Sequence, residues 1–163
     1  MKRSEKAKEL FLQGYNCSQA VLGAFCDVMQ LDFESAMRLA SSFGGGIARM
    51  REVCGACSAM FMVAGAVRGN SSPDVKAKSE HYAFVQSMAS AFIESNGSII
   101  CRELLALRAK ASSSVDNGNT PQANDRTCEY YRTRPCLGVV EDAVNITCRM
   151  LDIDENYGEC AKI

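Results

Sequence analysis

Histidine is nearly missing from this chain: His81 is the only one in 163 residues. No Ser-His-Asp constellation can be assembled around it, and a lone histidine on a helix beside Tyr82 is given no role. Covalent c-type haem attachment at Cys54-Gly55-Ala56-Cys57 is excluded as well, because Ser58 stands where that motif needs a histidine. Net charge is also close to absent, at −1, which removes the electrostatic case for nucleic acid or an anionic membrane. No apolar run is long: the uncharged stretch from Val53 to Val67 has 15 residues, short of the ~20 that span a bilayer. It reads as a buried central helix, without membrane insertion. The opening Met-Lys-Arg-Ser-Glu-Lys is mixed-charge helix sequence with no apolar core of a signal peptide, so a cytoplasmic protein is expected. Sustained period-two alternation and internal repeats are lacking too, which leaves no sheet to build.

Hydrophobic residues make up 47% of the chain, enough for a sizeable core in one domain spanning 1–163. The helical signals run end to end. A charged amphipathic helix is expected from Arg3 to Leu12, breaking at Gly14. Asn16 and Gln19 have the spacing of a capping box, and Val21, Leu22, Phe25 and Met29 continue at helical spacing behind them. A short helix over Phe33–Ser42 stops at Gly44-Gly45-Gly46. Ser72 with Pro73 reads as a cap with proline at the first helical position. The long helix behind it carries Tyr82, Val85, Met88, Phe92 and Ile93 on one face and ends at Asn96-Gly97. Ser98 caps a helix with Cys101, Leu104 and Leu105. A polar loop occupies about 111–127, and a last helix from Pro135 buries Leu137, Val140, Val144 and Cys148, with Leu151 continuing the stripe. The fold class is all-α, a compact single-domain helical bundle.

Nine cysteines are many for such a chain, and an odd number cannot all pair internally. Four of them, Cys17, Cys54, Cys101 and Cys136, stand where helices begin. A helix N-terminus points unpaired N–H groups outward and carries about half a positive charge, so a thiolate there is stabilised. Cys54 is the expected site of greatest activation, with a helix start, a flexible glycine and Arg49 and Arg51 nearby, and Cys17 is its expected partner. Cys57 reads as a small apolar core residue, as free cysteines often are. The missing βαβ pattern argues against a thioredoxin fold, and a resolving thiol one turn after Cys54 on another scaffold is the alternative. Cys26 and Cys148 read as core, Cys160 as exposed, and Cys128 as within reach of Cys136 if its segment folds back. The three glycines at 44–46 read as a tight turn between packed helices. An anion nest beside Arg49 and Arg51 is the alternative, and the Gly-Lys-Ser/Thr ending of a P-loop is absent.

Gly14-Tyr15-Asn16-Cys17-Ser18-Gln19-Ala20-Val21, Phe43-Gly44-Gly45-Gly46 with Val53-Cys54-Gly55-Ala56, Cys101-Arg102-Glu103-Leu104-Leu105 and Cys136-Leu137-Gly138-Val139-Val140 occur in that order. From Gly14 to Leu151 the chain resembles the C-GCAxxG-C-C family of redox-active proteins. The resemblance implies a small helical bacterial protein with Cys17, Cys54, Cys101 and Cys136 as its characteristic cysteines, and redox chemistry without a named substrate. Some proteins of this kind resemble parts of cytochromes with iron–sulfur centres. The chain departs from the family in lacking the second glycine of the central motif, where Cys57-Ser58-Ala59 follows, and in continuing as Ala106-Leu107 after Leu105 where a small turn is usual.

Three functions stay open on the sequence. The first is thiol–disulfide exchange or electron transfer at the four cysteines with an unknown redox partner, which leaves oxidoreductase activity open. The second is a metal site, zinc or an iron–sulfur cluster, with the same four as ligands, although metal motifs usually pair ligands two to four residues apart. The third is a helical interaction module without catalysis or cofactor, its small residues Gly55, Ala59 and Gly65 marking close helix contacts, in a homodimer for example.

Overall fold

The computed structural model describes residues 1–108 and 120–161. Among them are eight α-helices and no strand, so the all-α expectation holds. The helices are α1 (Arg3–Leu12), α2 (Cys17–Gly23), α3 (Phe33–Ala40), α4 (Gly55–Arg68), α5 (Val75–Asn96), α6 (Cys101–Arg108), α7 (Cys128–Thr133) and α8 (Cys136–Leu151). A 3-10 turn, Ser41–Phe43, follows α3. The short α2 lies at the centre, packed against α1, α3, α4 and α8, while α5 covers α8 and α4. The core it organises includes Leu10, Phe11, Phe25, Met60, Met88, Phe92, Val140 and Val144.

Local chemistry explains most helix ends. At the start of α2 the Asn16 side chain accepts the Gln19 N–H at 2.9 Å, and the Gln19 side chain accepts the Asn16 N–H at 3.0 Å, completing the expected capping box. Asn16 Nδ2 and Gln19 Nε2 then donate to the Ser41 and Met37 carbonyls, and buried Ser18 Oγ donates to Ala40 O. The N-terminus of α2 is thus bolted to the C-terminal end of α3. Gly97 closes α5 in the left-handed conformation, at φ +94°.

Several expectations are corrected. α2 ends at Gly23, and Phe25 and Met29 follow in turns rather than in the same helix. The cap of α5 is Asp74, whose side chain accepts the Ala77 N–H at 2.7 Å, so Pro73 lies outside the helix. A carboxylate at the cap satisfies a helix donor that Ser72 would have had to reach from further back. On α5 only Met88, Phe92 and Asn96 are buried, and Tyr82 and Ile93 face solvent. Ser98 Oγ accepts the Ile100 N–H, one residue before α6 begins. Of the expected polar loop, 111–119 lies outside the described residues, and 120–127 is non-helical. Helix α7 was not anticipated. Gly55 and Ala59 pack within the chain, whereas a Cβ on Gly65 would meet nothing within 4 Å among the described residues.

The largest correction concerns Cys26 and Cys160, which form a disulfide across 134 residues. Cys26 is core as expected, but Cys160 is half-buried rather than exposed. The tail is drawn back by several bonds: Tyr157 N–H to Met1 O, Ala161 N–H to Leu31 O, and Gly158 N–H to Asp27. Tyr157 Oη lies 3.0 Å from the Cys160 sulfur. At the root of this clamp Arg3, only 4% exposed, forms a two-pronged pair with Asp27 at 2.6 and 2.7 Å. It also donates to the Ala24 and Asp154 carbonyls. Burial alone would push the Asp27 carboxyl up, but the Arg3 hydrogen bond and charge prevail and hold it below its usual range. Removing the guanidinium strands a shielded carboxylate and two carbonyls. Arg3→Met is therefore expected to lower unfolding free energy by about 3–5 kcal/mol, read from denaturant titration.

Candidate functional site

All four helix-start cysteines are where the sequence puts them: Cys17, Cys101 and Cys136 are the first residues of α2, α6 and α8, and Cys54 caps α4. The structure adds that these starts converge. Cys17, Cys54, Cys101 and Cys136 all line one cavity of about 430 Å³.

Two backbone devices bring them together. The segment before α4 pairs antiparallel with the segment before α6: the Cys54 N–H donates to Ile99 O and the Cys101 N–H to Glu52 O, both at 2.7 Å, around a Val53–Ile100 bridge. Cys54 and Cys101 therefore start their helices side by side. The second device is a left-handed turn. Gly45, Gly46, Ile47, Ala48 and Arg49 have φ between +46° and +70°, and Arg51 follows at +60°. Its bonds reach back to the preceding turn, with the Ala48 N–H on Ser42 O and the Arg49 N–H on Gly44 O. The expected tight turn is thus a left-handed coil folded over the start of α2, in which Ile47, Ala48, Arg49 and Arg51 each bear roughly 1–2 kcal/mol of strain.

Two glycines clear the space for sulfur. A Cβ on Gly55 would stand 2.7 Å from Cys17 Sγ and 2.5 Å from Phe43 O, so the start of α4 can touch the Cys17 thiol only through a glycine. A Cβ on Gly46 would stand 2.6 Å from the Cβ of Cys101.

Cys17 and Cys54 meet at the start of α4, where the Cys17 sulfur presses on Gly55, and their protonation is shared unequally. The Cys54 thiol donating to it, the N–H groups of Gly45 and Ser18, and the Arg126 charge together bring Cys17 down to about 6 against the pull of burial. The same bond, with burial and the charge on Cys17, pushes Cys54 well up. The expectation that Cys54 is the most activated thiol is corrected on this point. The donors gather on Cys17, while Arg51 is turned to Cys101. Burial first, then the Cys17 charge, raises Cys101, and the same causes push Cys136 up to about 12.

The cavity's other wall is made by residues the sequence reading passed over. Tyr130 is flanked by the guanidiniums of Arg126 and Arg134, at 4.5 and 4.7 Å from its ring centre. Burial raises its hydroxyl to about 12. Arg126 Nη2 donates to Tyr15 O at 3.4 Å, and Tyr131 Oη donates to the Phe11 and Leu12 carbonyls, fastening this wall to the corner between α1 and α2. The alternation of arginine and tyrosine from Arg126 to Arg134, directly after a polar loop, was the available signal.

The remaining cysteines stand apart from the cavity. Cys57 is fully buried in the core, where burial alone pushes it up to about 12, in keeping with its reading as a packing residue. Cys148 is likewise a buried core thiol, as expected. Cys128 is a free, exposed thiol at the start of α7 and does not line the cavity with Cys136.

Thiols are a donor set that zinc and iron–sulfur clusters take. Among the described residues, however, no three of His, Cys, Asp and Glu gather closely enough to hold a metal ion. The four cysteines share a cavity but not a coordination sphere, so they do not fit a preformed metal cage. Nor is any described helix long and apolar enough to cross a membrane.

Fold and site together define a class: an all-α protein in which helix-start cysteines from four separate segments face one basic cavity. Residues 15–150 match the family described as "Putative redox-active protein (C_GCAxxG_C_C)", and the chain belongs to that family. No curated protein and no solved structure matches the chain.

Two substitutions test this geometry. Gly55→Ala is expected to cost about 2 kcal/mol of unfolding free energy, because the new methyl is pressed onto both sulfur and a backbone carbonyl. Ala48→Gly is expected to do the opposite, raising stability by about 1 kcal/mol, since exposed Ala48 holds a left-handed conformation that glycine adopts without strain. Denaturant midpoints of the two variants against the parent chain read both effects.

Proposed function

We propose that the protein is a thiol–disulfide oxidoreductase in which Cys17 attacks and Cys54 resolves. One observation carries this reading: thiols from two remote segments meet at helix starts in one cavity, with two backbone N–H groups and a guanidinium charge on Cys17 against a single backbone N–H on Cys54. A pKa of about 6 leaves Cys17 roughly nine-tenths thiolate at pH 7, while Cys54 keeps its proton. The thiolate is the attacking form, and a thiol with a pKa near ambient pH is the best placed to attack.

The exchange balances on these two residues. The Cys17 thiolate attacks one sulfur of a disulfide RSSR, forming a mixed disulfide and expelling RS⁻. Cys54 gives up its proton to an expelled thiolate and attacks the Cys17 sulfur, releasing the second RS⁻. The products are a Cys17–Cys54 disulfide, one RSH and one RS⁻, with two electrons passed from protein to substrate. A dithiol drives the same steps in reverse. Cys101 and Cys136 share the cavity as neutral thiols in reach of the same space, and we assign them to the redox set without a defined order.

The test is alkylation by iodoacetamide followed residue by residue with mass spectrometry. The Cys17 rate should rise with pH through an inflection near 6. The sign follows from the thiolate being the reactive form, so its fraction grows as the proton leaves. Cys54→Ala removes the donor and should move that inflection upward by about one unit or more, because a hydrogen bond to a charged group contributes roughly 1.5–3 kcal/mol. Mild oxidation of the parent chain should give a Cys17–Cys54 disulfide on peptide mapping. An inflection near 9 at Cys17, with no such disulfide, would remove the proposal.

A further inference from the structure

We propose that the cavity selects small disulfides carrying carboxylate or other anionic groups, with Arg126 and Arg134 as their binding residues. The proposal names the substrate class for the exchange reading above and rests on it.

The cavity wall has one sign of charge. Arg49, Arg51, Arg126 and Arg134 line it, and among the described residues no aspartate or glutamate does. This occurs in a chain whose net charge is −1, so the arginines are a local concentration rather than a reflection of a basic protein. The Cys17 thiolate answers one of the four charges. Neither Arg126 nor Arg134 meets a carboxylate among the described residues, in contrast to Arg3, Arg38, Arg102 and Arg132, each of which does. Their guanidiniums instead lie over the Tyr130 ring. The Nη1 atom of Arg126 is shielded from water and has no hydrogen-bond partner among the described residues. A guanidinium so placed is a rigid fork matched to a carboxylate, and away from bulk water its attraction for an anion is strengthened.

Size and chemistry narrow the ligand further. About 430 Å³ is the scale of a small-molecule site rather than of a docked protein surface. The same arginines also favour the reaction itself, since a leaving thiolate departs more readily where positive charge lowers its basicity. A small anionic disulfide therefore gains twice, once when its carboxylates bind and again when its sulfur leaves.

Three probes decide the matter: 3,3′-dithiodipropionate with two carboxylates, neutral bis(2-hydroxyethyl) disulfide, and cystamine with two ammonium groups. Each rate of oxidation of the reduced protein is divided by that probe's rate with free 2-mercaptoethanol. The dicarboxylate should lead the neutral probe by about tenfold or more, cystamine should trail it, and the preference should shrink as salt is added. In the Arg126→Gln, Arg134→Gln double variant the ratio of dicarboxylate to neutral rate should fall about tenfold, the loss of one strong ion contact in a shielded site. Equal normalised rates for all three probes overturn the proposal while leaving the exchange reading intact. If no probe reacts, the exchange reading falls, and calorimetry on the Cys17→Ser protein still decides this one. Tighter binding of the dicarboxylate than of the neutral probe upholds anion selection, and equal or absent binding overturns it.

Discussion

A sulfur anion shielded from water persists only where fixed donors replace the solvent it has lost, and that requirement shapes the whole region around Cys17. Its donors come from places that must first be brought close. Ser18 N–H comes with the start of α2, Gly45 N–H from the left-handed turn, the Cys54 thiol from the cap of α4, and the Arg126 charge from the segment before α7. No single helix supplies them. The left-handed conformation of Ile47, Ala48 and Arg49 is unfavourable in itself. It is held because Asn16, Ser18 and Gln19 tie α2 to the end of α3, fixing the position from which the turn departs. Packing elsewhere thus sustains a backbone that places an N–H against sulfur.

That arrangement also limits the charge of the cysteine set. The negative charge on Cys17 is among the causes that raise Cys54, Cys101 and Cys136. A second ionisation beside the first is penalised twice, by burial and by like charge. At neutral pH the four sulfurs therefore carry one negative charge between them, and the other three remain protonated. The antiparallel bridge at Val53 and Ile100 keeps Cys54 and Cys101 near enough for this coupling, although 47 positions separate them along the chain. The arginines on the wall face a nearly neutral cluster of thiols rather than four thiolates.

How much of this was readable follows from the range of the interactions. The helix-start positions of the four cysteines were legible because caps are local: Asn16 with Gln19, and Pro135 before Cys136, declare themselves within a few residues. Convergence was not, since it depends on a pairing between residues 52–54 and 99–101 too short to leave a period-two pattern. The left-handed turn was half legible. Gly45 and Gly46 announce it, but Ile47, Ala48 and Arg49 are residues that ordinarily avoid it. Placing the active thiol at Cys54 followed from its helix start, its glycine and the arginines near it along the sequence, whereas the fold turns Arg51 toward Cys101 and brings Arg126 to Cys17 from over a hundred residues away. The Cys26–Cys160 disulfide was invisible for the same reason, its closure depending on a tail folded back onto Met1, Asp27 and Leu31.

The nine cysteines show how far surroundings alone can separate one side chain's properties. Cys26 and Cys160 close a clamp at the root of which Arg3 neutralises Asp27. Cys57 is enclosed by the apolar core with burial as its only cause of shift, and stands at about 12. Cys17, half-buried in the cavity wall, stands at about 6. Burial pushes both upward, so the difference comes from what points at each sulfur. At Cys57 nothing offsets the lost hydration, and at Cys17 two backbone N–H groups, a thiol and a guanidinium do. Position at a helix start is therefore not sufficient for an acidic thiol. Cys101 and Cys136 hold the same position on α6 and α8, yet both are raised, because the helix end is there opposed by burial and by the charge already resting on Cys17.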